Sequence, residues 1–175
     1  MNRIILSGGP GTGKSSVIKA LLNKGHTCME ESFREFVSDE DASLNFQNSP
    51  LHFSELLFKS RKQQYLNCHP NHITFFDRSL IDIIAYLALD DIECPQDWLE
   101  FIHTHKYSKT VLYFPIWEAI YQKDSERVEN VDEAKKIDLQ LRKTYGILGY
   151  EILEIPKLSI PKRVEFIRNW IKSSI

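Results

Sequence analysis

Gly8-Gly9-Pro10-Gly11-Thr12-Gly13-Lys14-Ser15 follows the apolar run Ile4-Ile5-Leu6 and leads into Ser16-Val17-Ile18. The glycine-rich stretch fits GxxxxGK[ST], with a strand pattern before it and a helix pattern after it. Glycines permit the turn and let backbone N–H groups converge on phosphate oxygens. The N-terminus of the following helix adds its partial positive charge. Lys14 is expected to bridge the outer phosphates of a nucleoside triphosphate, and Ser15 to ligate Mg²⁺. Gly8, Gly9, Pro10, Gly11, Thr12, Gly13, Lys14, Ser15 and Ser16 are therefore the candidate nucleotide-binding residues. An ordinary glycine-rich turn is the alternative, but it gives no reason for motif and context to agree as they do here.

Working outward, short apolar runs alternate with amphipathic stretches. Ile4–Leu6, Ile73–Phe76, Val111–Phe114 and Ile152–Ile155 read as strands, and His26–Met29 as a weaker one. The first three are nearly continuous apolar runs, as expected for strands covered on both faces. Helical patterns occupy Ser15–Leu22, Leu51–Leu66 and Ser79–Leu89. Ile137, Leu141, Tyr145 and Leu148 recur at helical spacing, and Gly149 is a plausible stop. A last helix has Ser159 as N-cap and Pro161 in its first turn, with Ile160, Val164, Ile167 and Ile171 as its buried stripe. The alternation predicts an α/β three-layer fold, a parallel sheet of about five strands with helices on both faces. Residues 1–175 are expected to form a single domain. The polar segment Ser38–Pro50 reads as a loop. The segment Glu118–Val131, dense in charge and poor in apolar residues, is a candidate lid.

Composition narrows the partners. The 175 residues carry a net charge of −2, with 42% apolar and 26% charged residues. That balance gives no general pull toward nucleic acid or an anionic membrane. No apolar run approaches the roughly 20 residues of a membrane span. Cys28, Cys68 and Cys94 are an odd count without a CxxC pair, which argues for a reducing compartment. The N-terminal run lacks the long apolar region of a signal peptide. The expectation is a cytoplasmic protein with a small-molecule partner, no nucleic acid and no membrane; oligomeric state has no signature in the sequence.

Further chemistry is expected at the strand ends. Ile73-Thr74-Phe75-Phe76-Asp77 is an apolar strand ending in a carboxylate, placed to join the Mg²⁺ shell through water. Asp77 could instead cap the helix that starts near Ser79. Arg78 would lie in the crevice at the sheet's C-terminal edge and clamp a phosphate or carboxylate, or form a structural salt bridge. Glu31 ends the weak strand region and could accept a proton from an attacking hydroxyl, or instead orient Mg²⁺-bound water, ahead of its neighbour Glu30. Glu31 and Arg34 could equally form a helix ion pair. In the lid segment, Lys123 and Arg127 are candidates to neutralise charge on a moving phosphoryl group; the alternative is a solvated helix end. Cys68-His69-Pro70-Asn71-His72 lacks four ligands at zinc spacing and reads as a loop. Lys157, Lys162, Arg163 and Lys172 read as a solvated helix surface.

Together these elements resemble the AAA_28 family of P-loop ATPases, which is similar to the nicotinamide riboside kinase domain and to nucleoside and nucleotide kinases. The resemblance rests on Gly8–Ser16, Glu31-Ser32-Phe33-Arg34, Phe76-Asp77-Arg78-Ser79 with Asp82 and Ala85-Tyr86, Tyr121–Arg127, and Gly149-Tyr150 with Ile155-Pro156. It implies a base at Glu31, an Asp-Arg pair at Asp77 and Arg78, and a lid arginine at Arg127. It also implies that the loop after Ile155 touches a nucleotide base. Ser79 stands where the group often has glycine, and the lid has one arginine plus Lys123 where many kinases have more. No Asn-Lys-x-Asp guanine-reading motif is present, which favours ATP.

The leading expectation is an ATP- and Mg²⁺-dependent phosphotransferase acting on a nucleoside, nucleotide or related metabolite. Lys14, Glu31, Asp77, Arg78 and Arg127 would be catalytic, with Ser15 and Asp77 at the metal. Glu31, Arg34, Arg78 and Lys123 would meet the acceptor. The alternatives are a nucleotide-dependent switch that engages a protein partner and an NTPase that uses water as acceptor.

Overall fold

The computed structural model describes residues 2–30, 49–120 and 131–174. Five strands form one sheet: β1 (Arg3–Ser7), β2 (Thr27–Met29), β3 (Thr74–Asp77), β4 (Thr110–Tyr113) and β5 (Glu151–Glu154). Their order is β2-β3-β1-β4-β5, and every pairing is parallel. The expected strands are all present, including the weak one. Ile4 lies opposite Phe75, and Leu6 lies opposite both Asp77 and Leu112. The C-terminal ends of β1 and β3 are thereby brought side by side, so the phosphate-loop candidate and Asp77 emerge on one edge.

The apolar runs explain the layering. Successive strand residues point to opposite faces, so a continuous run needs cover on both. On one face Ile4, Leu6, Phe75, Leu112 and Phe114 pack with Val17, Ile18 and Leu21 of α1 (Lys14–Leu22) and Val164 and Ile167 of α6 (Ile160–Ser174). On the other, Ile5, Phe76, Val111 and Tyr113 pack with the remaining helices. These are α2 (Pro50–Asn67), α3 (Leu80–Leu89), α4 (Gln96–Thr104) and α5 (Val131–Ile147). Burying each large side chain contributes about 1.5–3 kcal/mol relative to leaving it exposed.

Several details differ from expectation. Helix α4 is an additional element. Its Trp98 stacks on Phe58 of α2 at 4.3 Å between ring centres, and its Ile102 is fully buried. Phe101, edge-on to Phe58 and Tyr65, completes an i, i+3, i+4 stripe with Trp98 and Ile102, a helical spacing confined to nine residues. Pro50 begins α2, at a first-turn position where its missing N–H costs nothing. In α6 the buried stripe narrows to Arg163, Val164 and Ile167, and Ile160 is 39% exposed. Of the candidate lid, Glu118–Ile120 form a short 3₁₀ turn and Val131 opens α5; residues 121–130 lie outside the described residues. So does most of Ser38–Pro50. Among the described residues, no helix is long and apolar enough to cross a membrane. Cys28, Cys68 and Cys94 are free thiols, and no cluster of metal-ligating side chains occurs among the described residues.

Candidate active site

The loop between β1 and α1 is built from backbone. Gly8 has φ +145°, and a Cβ there would collide with the Phe114 carbonyl at the end of β4. Only glycine lets the two strand ends close up, and the Phe114 N–H donates to the Ser7 carbonyl at 2.8 Å. Gly13, at φ +78°, is the N-cap of α1, and no side-chain hydrogen bond caps this helix. An uncapped N-terminus with its partial positive charge is a natural place for an anion. The Thr12 hydroxyl donates to the Gly9 carbonyl at 3.1 Å and closes the loop on itself. Ser15 and Ser16 are exposed in the first turn of α1.

Lys14, the first residue of α1, and Asp77, the last of β3, meet. The Lys14 ammonium lies 3.6 Å from Asp77 Oδ1, and both residues are buried, at 7% and 8% exposure. Asp77 Oδ1 accepts no hydrogen bond, whereas the Asp77 carbonyl accepts one from Arg61 at 2.8 Å. A buried carboxylate oxygen without a hydrogen-bond donor, with a serine hydroxyl at a helix N-terminus nearby in the fold, suits a hard cation that takes oxygen ligands and keeps its waters. The residues present therefore fit Mg²⁺, which Ser15 and Asp77 would hold.

The helix-cap alternative for Asp77 does not hold. Helix α3 is capped by Ser79, whose Oγ accepts the Ile81 N–H at 3.1 Å. Asp82 completes a capping box by accepting the Ser79 N–H at 2.7 Å. Ser79 has φ −140°, so a glycine is not required there; the left-handed residue is Arg78, at φ +65°. Asp82 is 1% exposed, and it also accepts from Ser7 Oγ at 2.5 Å and the Tyr145 hydroxyl at 2.6 Å. Burial and the Asp82 carboxylate raise the Tyr145 pKa well above the usual phenol range. Arg78 Nη1 is 3.8 Å from Asp82 Oδ1, and its guanidinium lies 5.6 Å from the Tyr86 ring centre. The structural ion pair is thus present, on the crevice edge where an anion clamp was expected.

On the far side of β3, Met29 lies opposite Phe76, so the chain leaves β2 at Glu30 beside the end of β3. Gln64 of α2 donates to the Glu30 carbonyl at 2.9 Å. Glu31, Arg34, Lys123 and Arg127 lie outside the described residues. Burial drives the Cys28 thiol up to about 12, so the cysteine on β2 is no nucleophile at neutral pH.

Two arginines escaped the sequence reading. Arg61 is 5% exposed and braces the end of β3 through the Asp77 carbonyl. Arg163, expected on a solvated surface, is also 5% exposed and donates to the Thr12 carbonyl at 3.1 Å. Each falls on its helix's apolar stripe, Arg61 between Phe58 and Tyr65 and Arg163 beside Val164 and Ile167. A cation in register with a buried face was the available signal. Beside the loop opens a cleft of about 460 Å³, bounded by Gly13 and Ser16, by Trp117, by Leu158–Pro161 and by Arg163.

Comparisons with known proteins agree with this layout. Deoxyadenosine kinase from M. mycoides superposes with a TM-score of 0.71 at 14% identity, covering 98% of each chain. Thymidylate kinase from Candida albicans gives 0.60 at 14% identity, over 98% of this chain and 91% of its own. Shikimate kinase from Aquifex aeolicus gives 0.58 at 17% identity, over 98% and 96%. At such identities the likeness is one of fold. A search of curated proteins finds no significant match. The family model AAA_28, an AAA domain, matches residues 3–163, and the chain belongs to that family.

Proposed function

We propose that this protein is a small-molecule kinase that transfers a phosphoryl group from Mg·ATP to a nucleoside, nucleotide or related metabolite. The observation that carries it is the meeting of Lys14, the first residue of α1, and Asp77, the last of β3, at a helix N-terminus that no side chain caps. The fold neighbours named above are all kinases of small molecules, which supports the same reading. Residues 1–175 would act as one domain.

The backbone N–H groups of Gly8–Ser15 cradle the phosphates, and Lys14 neutralises charge on the transferred group. Ser15 and Asp77 would hold Mg²⁺, which when bound would offset charge on the phosphate oxygens. The cleft beside the loop receives the donor's base, with Trp117 offering a stacking face. Arg78 and Arg34 hold the acceptor, Glu31 takes the proton from its hydroxyl, and Lys123 and Arg127 close over the phosphates.

The test is a phosphate-transfer screen of nucleosides, nucleotides and pyridine ribosides with Mg·ATP. The expected result is one acceptor class phosphorylated faster than ATP is hydrolysed without it. Steady ATP turnover with no acceptor phosphorylated would contradict the kinase reading and leave a hydrolase.

A further inference from the structure

Arg163 joins three segments that are far apart in the sequence. Its Nη1 donates to the Thr12 carbonyl of the phosphate loop at 3.1 Å. Its Nε donates to the Leu158 carbonyl, between β5 and α6, at 2.7 Å. Its guanidinium carbon lies 4.8 Å from the centre of the Trp117 ring, which follows β4. These are also the segments that bound the cleft beside the loop. A planar fork with several fixed donors can serve two carbonyls and a ring face at once, which an ammonium on a flexible stem does less well.

We propose that Arg163 is a positioning residue that holds the phosphate loop in its binding shape and links that shape to occupancy of the cleft by a nucleobase. The inference rests on the reading of loop and cleft as the donor site. In a trans peptide the C=O and the following N–H point in opposite directions. Fixing the Thr12 carbonyl on Arg163 therefore fixes where the Gly13 N–H points, and a loop that binds phosphate through its backbone depends on that direction. A base stacked on Trp117 packs against the ring that Arg163 covers. Cleft and loop then share one support, so binding at one stiffens the other.

The test uses the full chain and two probes, Mg·ATP and Mg·tripolyphosphate, which lacks a base, titrated by calorimetry. Wild type is expected to bind ATP more tightly than tripolyphosphate. Arg163→Met should weaken tripolyphosphate by about tenfold, as loss of preorganised donors does, although a phosphate chain has no base to meet the cleft. It should also shrink the advantage of ATP over tripolyphosphate. Arg163→Lys, which keeps the charge without the fork, should show most of the same loss. The proposal is overturned if both variants hold both probes within about twofold of wild type, the usual scatter of independent sites, whatever happens to their melting temperature. Full recovery by Arg163→Lys would also overturn it, by reducing Arg163 to a charge. If Arg163→Met does not fold, the lysine variant alone decides. Failure of wild type to bind either probe would instead refute the donor-site reading itself.

Discussion

Two helices start side by side at the C-terminal edge of this sheet, and they start differently. Helix α1, after β1, begins at Gly13 with no side chain capping it. Helix α3, after β3, begins at Ser79 with a complete capping box, and Asp82 gathers further bonds from Ser7 and Tyr145. Both termini carry the same partial positive charge. One is closed by its own side chains. The other has no side-chain cap and is the proposed place for a bound anion. Neighbouring elements of like geometry thus differ in how they are capped, and the N-cap residue, Gly13 or Ser79, sets the difference.

The largest expected effect falls on the open terminus. Lys14→Ala should lower Mg·ATP affinity about a hundredfold, the scale of a lost charge-assisted contact, and should also lower the melting temperature, because Asp77 is left buried without its cation. Equal binding by variant and wild type in calorimetry would break the contrast between the two helix starts. Next is Gly8→Ala. Its methyl group meets the Phe114 carbonyl and its φ of +145° is unfavourable for alanine, so unfolding in urea should show a loss of about 2–3 kcal/mol. A neutral result would mean that the β1 and β4 ends are not held together as described.

The closed terminus should respond in stability and not in nucleotide affinity. Ser79→Ala removes the acceptor for the Ile81 N–H and should cost about 1 kcal/mol, as N-cap truncations do. Unchanged Mg·ATP binding in the same variant would sharpen the contrast; a large drop would erase it. The smallest effect is one of pH. Tyr145 holds its proton more tightly folded than unfolded, because of burial and the Asp82 carboxylate. Its contribution is full below the unfolded phenol pKa of about 10 and is lost as pH rises above it. Denaturation followed from pH 8 to 11 should therefore fall less steeply in Tyr145→Phe than in wild type. Parallel curves would place the raised pKa elsewhere.

The sequence disclosed where both helices start, but not the distant partners that gather at the second. Gly8–Ser15 is local: backbone conformation, helix start and spacing are all written in eight consecutive residues. The five strands were legible for a similar reason, since doubly covered strands are short continuous apolar runs. Asp77 was singled out from its place at a strand end, and only the positions of Ser79 and Asp82 show that it does not cap α3. The Ser7–Asp82–Tyr145 network joins residues 75 and 63 positions apart, and no local pattern encodes such a meeting. Arg163 meets Thr12 across 151 positions. Its charge suggested solvent, while its register with Val164 and Ile167 carried the opposite message. The signal for helix α4 was present but short: Trp98, Phe101 and Ile102 at helical spacing within nine residues.

The contrast between the two termini can be read directly from backbone amides. A titration of the ¹⁵N-labelled protein with Mg·ATP, followed by ¹H–¹⁵N spectra, compares both helix starts in one sample. The account predicts that the amides from Gly11 to Ser16 shift most and that those of Ser79 to Asp82 move little. Large shifts at Ser79–Asp82 with Gly11–Ser16 unmoved would contradict it.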